Sequence, residues 1–177
     1  LTIEGHRPGL LVVAGLCGGL DPALARGDVV VAETVARPCG NTLTAHDPAR
    51  LLDAAGLRRV CVVTADQVVE TPEAKRQPRE ASGGDVVDME SWWIAEVAEA
   101  AGTPWTVVRS ISDTANDCVP SDVAKLASVA HPARLAGAAA RLLFRRPSAL
   151  GDLAELREHA CGAAERLAER LVVMLGR

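Results

Sequence analysis

An α/β fold with helices on both faces of a sheet is predicted for this chain of 177 residues, on three observations. Short apolar, β-branched runs recur along it, charged stretches of helical periodicity separate them, and glycine or proline marks the joins. Strands that alternate with helices in this way are buried from both sides.

Each element can be justified in order. Gly9 to Ala14 is apolar and ends in glycines, as a buried strand does. GDVVVAETVA, from Gly27, is a second strand. The loop RPCGNTLTAHD leads into a short helix, DPARLLDAAG, with Asp47 as N-cap, Pro48 in the first turn and Gly56 as the stop. RRVCVVT is the third strand, and QVVETPEAKRQPREASGG after it reads as a loop with room for one helical turn. VVDME is a short fourth strand running into the helix SWWIAEVAEAAG, stopped at Gly102, and WTVVRSI is the fifth strand. From Pro120 the pattern is helical, with Pro132 and Pro147 as starts or breaks. In the last segment, apolar residues at 153, 156, 160, 164, 167, 171 and 175 form an amphipathic stripe. No repeat or linker divides the chain, so 1–177 reads as one domain with a helical C-terminal segment, 120–177.

Composition excludes several classes. The chain is 49% hydrophobic and 24% charged with a net charge of −4, which lacks the one-sided basic footprint that nucleic acid requires. The five cysteines are odd in number, scattered and without a CxxC, which fits free thiols in a reducing compartment, the cytoplasm by default. The four histidines form no cluster of metal-ligand spacing, so no metal or cofactor is expected. The longest apolar stretch, GLLVVAGLCGGL, is too short and glycine-rich to cross a bilayer, and no signal segment stands at the start. The chain begins with Leu and enters a core strand at once, and so reads as entered part-way through.

In open α/β sheets ligands bind beyond the carboxyl ends of strands. Three such ends here are chemically suggestive: AGLCGGLDP, DMES and RSISD. Each has a plain structural explanation. The glycines can be a tight turn, Glu90 a first-turn acid favoured by the helix dipole, and Arg109 with Asp113 an ion pair. Together they fit cleavage of a sugar–base bond. That reaction passes through a ribosyl cation, so the departing purine needs a proton and the sugar needs negative charge nearby. A carboxyl group partly withdrawn from water can supply the first, and an ionised one the second. Cys17 is either a nucleophile or a packed thiol, and no histidine is placed to activate it. Trp92 and Trp93 are pocket or core. Arg145-Arg146 after LLF is a peripheral membrane contact or the solvated end of a helix.

The segments Gly15 to Leu20 (G-x-x-G-G-L), Gly27 to Val31 (G-D-V-V-V), Met89-Glu90 and Arg109 to Asp113 (R-x-I-S-D) resemble, in this order and spacing, the nucleoside phosphorylase and nucleosidase family that includes the methylthioadenosine/S-adenosylhomocysteine nucleosidases. The resemblance runs from Leu10 to about Asp117. It implies a three-layer αβα fold on a central mixed, mainly parallel sheet, and a homodimer. It implies Asp113 as the acid that protonates the purine ring nitrogen, with Arg109 placing the nucleophile. Glu90 would hold the ribose hydroxyls and Met89 pack under the sugar, with Asp88, Ser112, Val68, Cys17 and Gly18 around the nucleoside. Val68 stands where the family has a base-stacking aromatic, and Leu16 where the nucleosidases have a hydroxyl residue. The latter favours hydrolysis, although phosphate remains possible as a co-substrate. The family's first strands and water-activating glutamate are expected upstream of Leu1, and without them an apolar strand edge would be unpaired. The string VDMES and the tail ARLLFRRPSALGDLAELREHACGAAERLAERL resemble the hopanoid-associated branch, which implies adenosylhopane as substrate, with LLF and the last helix either near the pocket mouth or packed on the sheet or a partner subunit. A phosphorylase and a non-catalytic nucleoside-binding relative are the alternatives.

Overall fold

The computed structural model describes residues 8–38, 40–46, 56–121 and 149–176. Six strands form its sheet: β1 (Leu11–Gly19), β2 (Val29–Ala36), β3 (Thr42–Thr44), β4 (Arg58–Thr64), β5 (Val86–Asp88) and β6 (Trp105–Asp113). Among the described residues three helices accompany them: α1 (Pro72–Ser82), α2 (Ser91–Ala100) and α3 (Ala149–Met174). The helix expected over 47–56, Pro132, LLF, Arg145-Arg146 and most of the segment from Pro120 to Pro147 lie outside the described residues.

The sheet order is β3-β2-β4-β5-β1-β6, and β2 also pairs with β6. The long ladders, β1–β6 and β2–β4, are parallel, and β4–β5 is a short parallel one. Antiparallel pairing is confined to short stretches of β1–β5, β2–β3 and β2–β6. Because β2 borders β3, β4 and β6, the sheet curls back on itself. The carboxyl ends of β1, β5 and β6 meet because β1 lies between the other two in the sheet.

Helices cover both faces, as the strand–helix alternation predicts. Trp92, Ala95 and Ala98 of α2 join Val13, Val30, Val62, Trp105 and Val107 in the larger core cluster. On the opposite face, Leu167 and Met174 of α3 pack with Val31 and Val108. Burying a Val or Leu side chain fully is worth about 1.5–3 kcal/mol, so this valine-rich sheet needs few aromatics. Leu167 and Leu171 of the stripe pack against the sheet while Ala164 and Leu175 are exposed, so α3 takes the packing alternative rather than the pocket mouth. Trp92 is core, while Trp93 is exposed with the Arg37 guanidinium 4.4 Å above its ring, so neither tryptophan lines the pocket.

Three further expectations change. β1 runs on through its glycines to Gly19 rather than stopping near Ala14. Thr42–Thr44, expected in a loop, is a strand on the edge of β2. The stretch after β4, expected as a loop, contains the 11-residue helix α1. Thr71 caps it, its Oγ1 accepting from Ala74 N–H, Pro72 opens it and Gly83 closes it at φ 67°. Pro78 sits inside and hides the helical pattern, because proline lacks a donor and usually ends a helix.

β5 pairs with β1 only at Gly18 and Gly19. Among the described residues, the same edge of β1 from Leu11 to Leu16 has no strand partner.

Candidate active site

β1 and β6 lie side by side with Gly15 opposite Arg109 and Gly18 opposite Asp113, across an irregularity between Cys17 and Gly18. The register explains the glycines. A Cβ on Gly15 would stand 2.0 Å from Arg109 Nη1, and one on Gly18 would stand 3.0 Å from Asp113 Oδ2. Glycine at both places lets two charged side chains of β6 lie across β1.

A cavity of about 320 Å³ opens at these strand ends. Asp113, Ser112, Glu90, Met89, Asp88, Val68, Cys17 and Gly18 all line it, together with Leu16 and Val69. Arg109 is the exception among the expected site residues. It lies beneath the cavity, buried, with Nη2 donating to Asp88 Oδ2 at 2.6 Å and to Ser91 Oγ at 2.9 Å.

Arg109 and Asp113 therefore do not pair with each other. Four residues apart on a strand, they are separated by about 13 Å of backbone. Each takes a partner from elsewhere. Asp88 is saturated within the protein: Oδ1 accepts from Thr64 Oγ1 at 2.8 Å and Ser91 N–H at 3.3 Å, and Oδ2 from Ser91 Oγ and Arg109. Its residual role is to hold Arg109 and the first turn of α2.

Glu90 stands at the N-cap of α2, where the helix dipole favours its charge, but its side chain makes no capping bond. Its side chain is 62% exposed, with Oε2 3.7 Å from Arg109 Nη2. The carboxylate is free to face a ligand, leaning on a buried cation.

Asp113 is held on both oxygens and still reaches the cavity. Ser112 Oγ donates to Oδ1 at 2.7 Å, and Lys75 Nζ donates to Oδ2 at 2.6 Å. Sequence reasoning missed Lys75. It lies on α1, read as a loop, and its partner is 38 positions away. Cys17 is buried with its thiol donating to Ser110 O at 3.7 Å, the packed thiol of the plain reading, and that burial pushes it far above its usual range, with the nearby Arg109 charge opposing.

The site thus has an anchored acid at the end of β6, a free carboxylate at the head of α2, and aliphatic walls of Leu16, Val68, Val69 and Val87. It can hold a flat, mostly apolar group beside Asp113 and a polyhydroxyl group beside Glu90. Among the described residues no helix is long and apolar enough to cross a membrane, and no His, Cys, Asp and Glu group could hold a metal.

Known proteins with similar sequence and fold identify the family. The sequence pattern of the Phosphorylase superfamily matches residues 1–145. The chain is 24% identical to the 5'-methylthioadenosine/S-adenosylhomocysteine nucleosidase of Mycobacterium bovis, over 59% of this chain and 59% of that protein. To the nucleosidase of the same name from Tolumonas auensis it is 26% identical, over 73% of this chain and 67% of that one. The corresponding nucleosidase of Colwellia psychrerythraea, solved in complex with adenine, superposes with a TM-score of 0.70 at 20% identity, covering 98% of this chain and 69% of the other, a likeness of fold. The chain spans less than two thirds of the Mycobacterium relative's length. With the family's pattern running through the strands that build the cavity, the chain belongs to the Phosphorylase superfamily.

Proposed function

We propose that this site cleaves the N-glycosidic bond of an adenosyl-type nucleoside by hydrolysis, releasing adenine. The observation that carries the reading is the placing of Asp113 and Glu90 in one cavity, one carboxyl anchored by donors and the other open. The base lies between Val68, Val69 and Leu16, where Asp113 protonates its ring nitrogen as the bond to the sugar breaks. Glu90 takes the ribose hydroxyls, and its charge stabilises the ribosyl cation. Arg109 acts from beneath by fixing Asp88 and drawing Glu90 inward. Leu16 lines the cavity where a hydroxyl would serve phosphate, which favours water as the nucleophile.

The finer reading is a nucleoside with a large apolar 5' substituent, adenosylhopane being the candidate. A second cavity of about 640 Å³ shares Gln67, Val68 and Val69 with the first and continues over Pro38, Ala74, Pro78 and Ala81. Its position supports a tail leaving the site over α1 rather than along α3.

Product analysis tests both levels. Incubating the full-length protein with methylthioadenosine and with adenosylhopane should release adenine and the free sugar, at a rate independent of added phosphate, with the hopanoid preferred. Ribose 1-phosphate appearing in proportion to phosphate would make it a phosphorylase. Binding without adenine release would make it a nucleoside-binding relative, and equal use of the two substrates would remove the lipid reading.

A further inference from the structure

We infer that Lys75 is a positioning residue for proton transfer by Asp113, an inference that rests on the nucleosidase reading above. Of 19 basic residues in the chain, only Lys75 and Lys125 are lysines. Lys75 is also 1% exposed. Burying an ammonium group costs several kcal/mol unless it is paired and fully hydrogen-bonded. Here all three donors are used, and all on one short segment: Asp113 Oδ2 at 2.6 Å, Thr114 O at 2.6 Å and Asp117 O at 3.2 Å. The ammonium therefore fixes the turn that follows β6 and the carboxyl at its head in a single contact.

That arrangement suits an acid. Lys75 and Ser112 hold one carboxyl oxygen each, which sets the carboxyl plane against the cavity wall. When Asp113 gives up its proton, the O–H bond breaks and an N–H bond forms on the base, which keeps the electrons of the glycosidic bond. The carboxylate left behind is already 2.6 Å from a cation, so its charge is stabilised without reorganisation. Water then adds its hydroxyl to the sugar carbon, and its proton replaces the one that Asp113 lost.

The test compares two leaving groups in the full-length protein. Adenine must be protonated to leave, whereas the nitrophenolate of a 4-nitrophenyl riboside departs as a stable anion. For Lys75→Met, kcat on methylthioadenosine should fall by about tenfold or more, the lower reach of a general-acid effect, with KM within about threefold. Cleavage of the nitrophenyl riboside should be unchanged. In an Asp113→Asn background, Lys75→Met should cost nothing further, because it acts through that carboxyl. Equal losses on both substrates, or a further full loss in the Asp113→Asn background, would overturn the inference. Should Lys75→Met fail to fold, Lys75→Gln, which keeps a donor without the charge, takes its place with the same readings. A full-length wild-type protein that leaves methylthioadenosine and the hopanoid nucleoside intact defeats the nucleosidase reading and this inference together. An active wild type matched by its Lys75 variant defeats this inference alone.

Discussion

Arg109 with Asp88 and Lys75 with Asp113 are both 2.6 Å pairs whose cations are sealed from water. They differ at the carboxylate. Asp88 is 1% exposed in its side chain, and its oxygens accept from Thr64, Ser91 and Arg109. Asp113 is 16% exposed and carries one protein donor on each oxygen, leaving acceptor capacity toward the cavity. The same ionic chemistry is thus closed in one place and open in the other. A saturated buried carboxylate can hold elements together, but it has nothing left with which to meet a substrate. An anchored, unsaturated one can do both.

The comparison breaks most visibly where the closed pair is cut. Asp88→Ala leaves Arg109 buried without its main partner and should destabilise the fold by about 3–5 kcal/mol, a large share of a typical domain's stability. Urea unfolding would show it as a fall in midpoint. A loss under about 1 kcal/mol would mean that Glu90 can replace Asp88, and the pair is less closed than described. The open pair should fail in the opposite way. Asp113→Asn keeps an oxygen for Lys75 and should leave the fold largely intact, while adenine release falls by about 10²-fold or more. Wild-type turnover in that variant would remove Asp113 from the chemistry.

The two glycines opposite the pairs sharpen the contrast at a smaller scale. Gly15→Ala drives a methyl group to 2.0 Å from Arg109 Nη1, which must move within a closed network. Overpacking of that kind costs about 1–3 kcal/mol. Gly18→Ala presses at 3.0 Å on Asp113 Oδ2, whose carboxyl can swing into the cavity. Its stability loss should be smaller, and adenine release should fall by about tenfold as the acid leaves its aligned position. Melting temperature and turnover on both variants would check the crossing. If Gly18→Ala proves the less stable and the more active of the two, the assignment of closed and open ends is reversed.

What was legible in the sequence follows from the range of the interactions. The strands β1, β2, β4 and β6 were readable because β-branched runs and glycine ends are local signals. Asp113, Glu90 and Met89 followed from motifs at strand ends, and the cavity does gather them. The partner of Asp113 was not readable. Lys75 looks like one more charge in a polar stretch, and only the docking of α1 on the end of β6 brings them together. The cap-and-stop signals of α1, Thr71-Pro72 and Gly83, were present in the sequence, but Pro78 masked what lay between them. The closure of β2 onto β6 left no trace in either strand, since pairing between edges is decided by the whole sheet. An ion pair between Arg109 and Asp113 fails on strand geometry, which sets them four residues apart on β6.

The smallest expected effect lies just outside the open pair, at Asp117, whose backbone oxygen Lys75 also holds. Burial pushes the Asp117 carboxyl up, but the Thr114 N–H at 2.6 Å and the Arg26 guanidinium outweigh it and hold the group below its usual range. Asp21 is likewise lowered, first by the Ala23 N–H, then by Arg58 and Arg79 against a burial penalty. A carboxyl lowered in the folded state binds its proton more readily when unfolded. Its contribution is therefore present above the unfolded value of about 3.9 and is lost as pH falls through the folded one. Melting temperature should decline below about pH 4 for this reason. Asp117→Asn should lower stability at pH 6 by no more than about 1 kcal/mol, since the pair with Arg26 is partly exposed, and should flatten the acid decline. Because Asp117 anchors the turn from outside while Lys75 holds it from within, turnover at pH 6 should change far less than in Lys75→Met. An unchanged acid slope in Asp117→Asn would assign that slope to Asp21, and a loss of turnover as large as that of Lys75→Met would show that the turn, rather than the buried ammonium, positions Asp113.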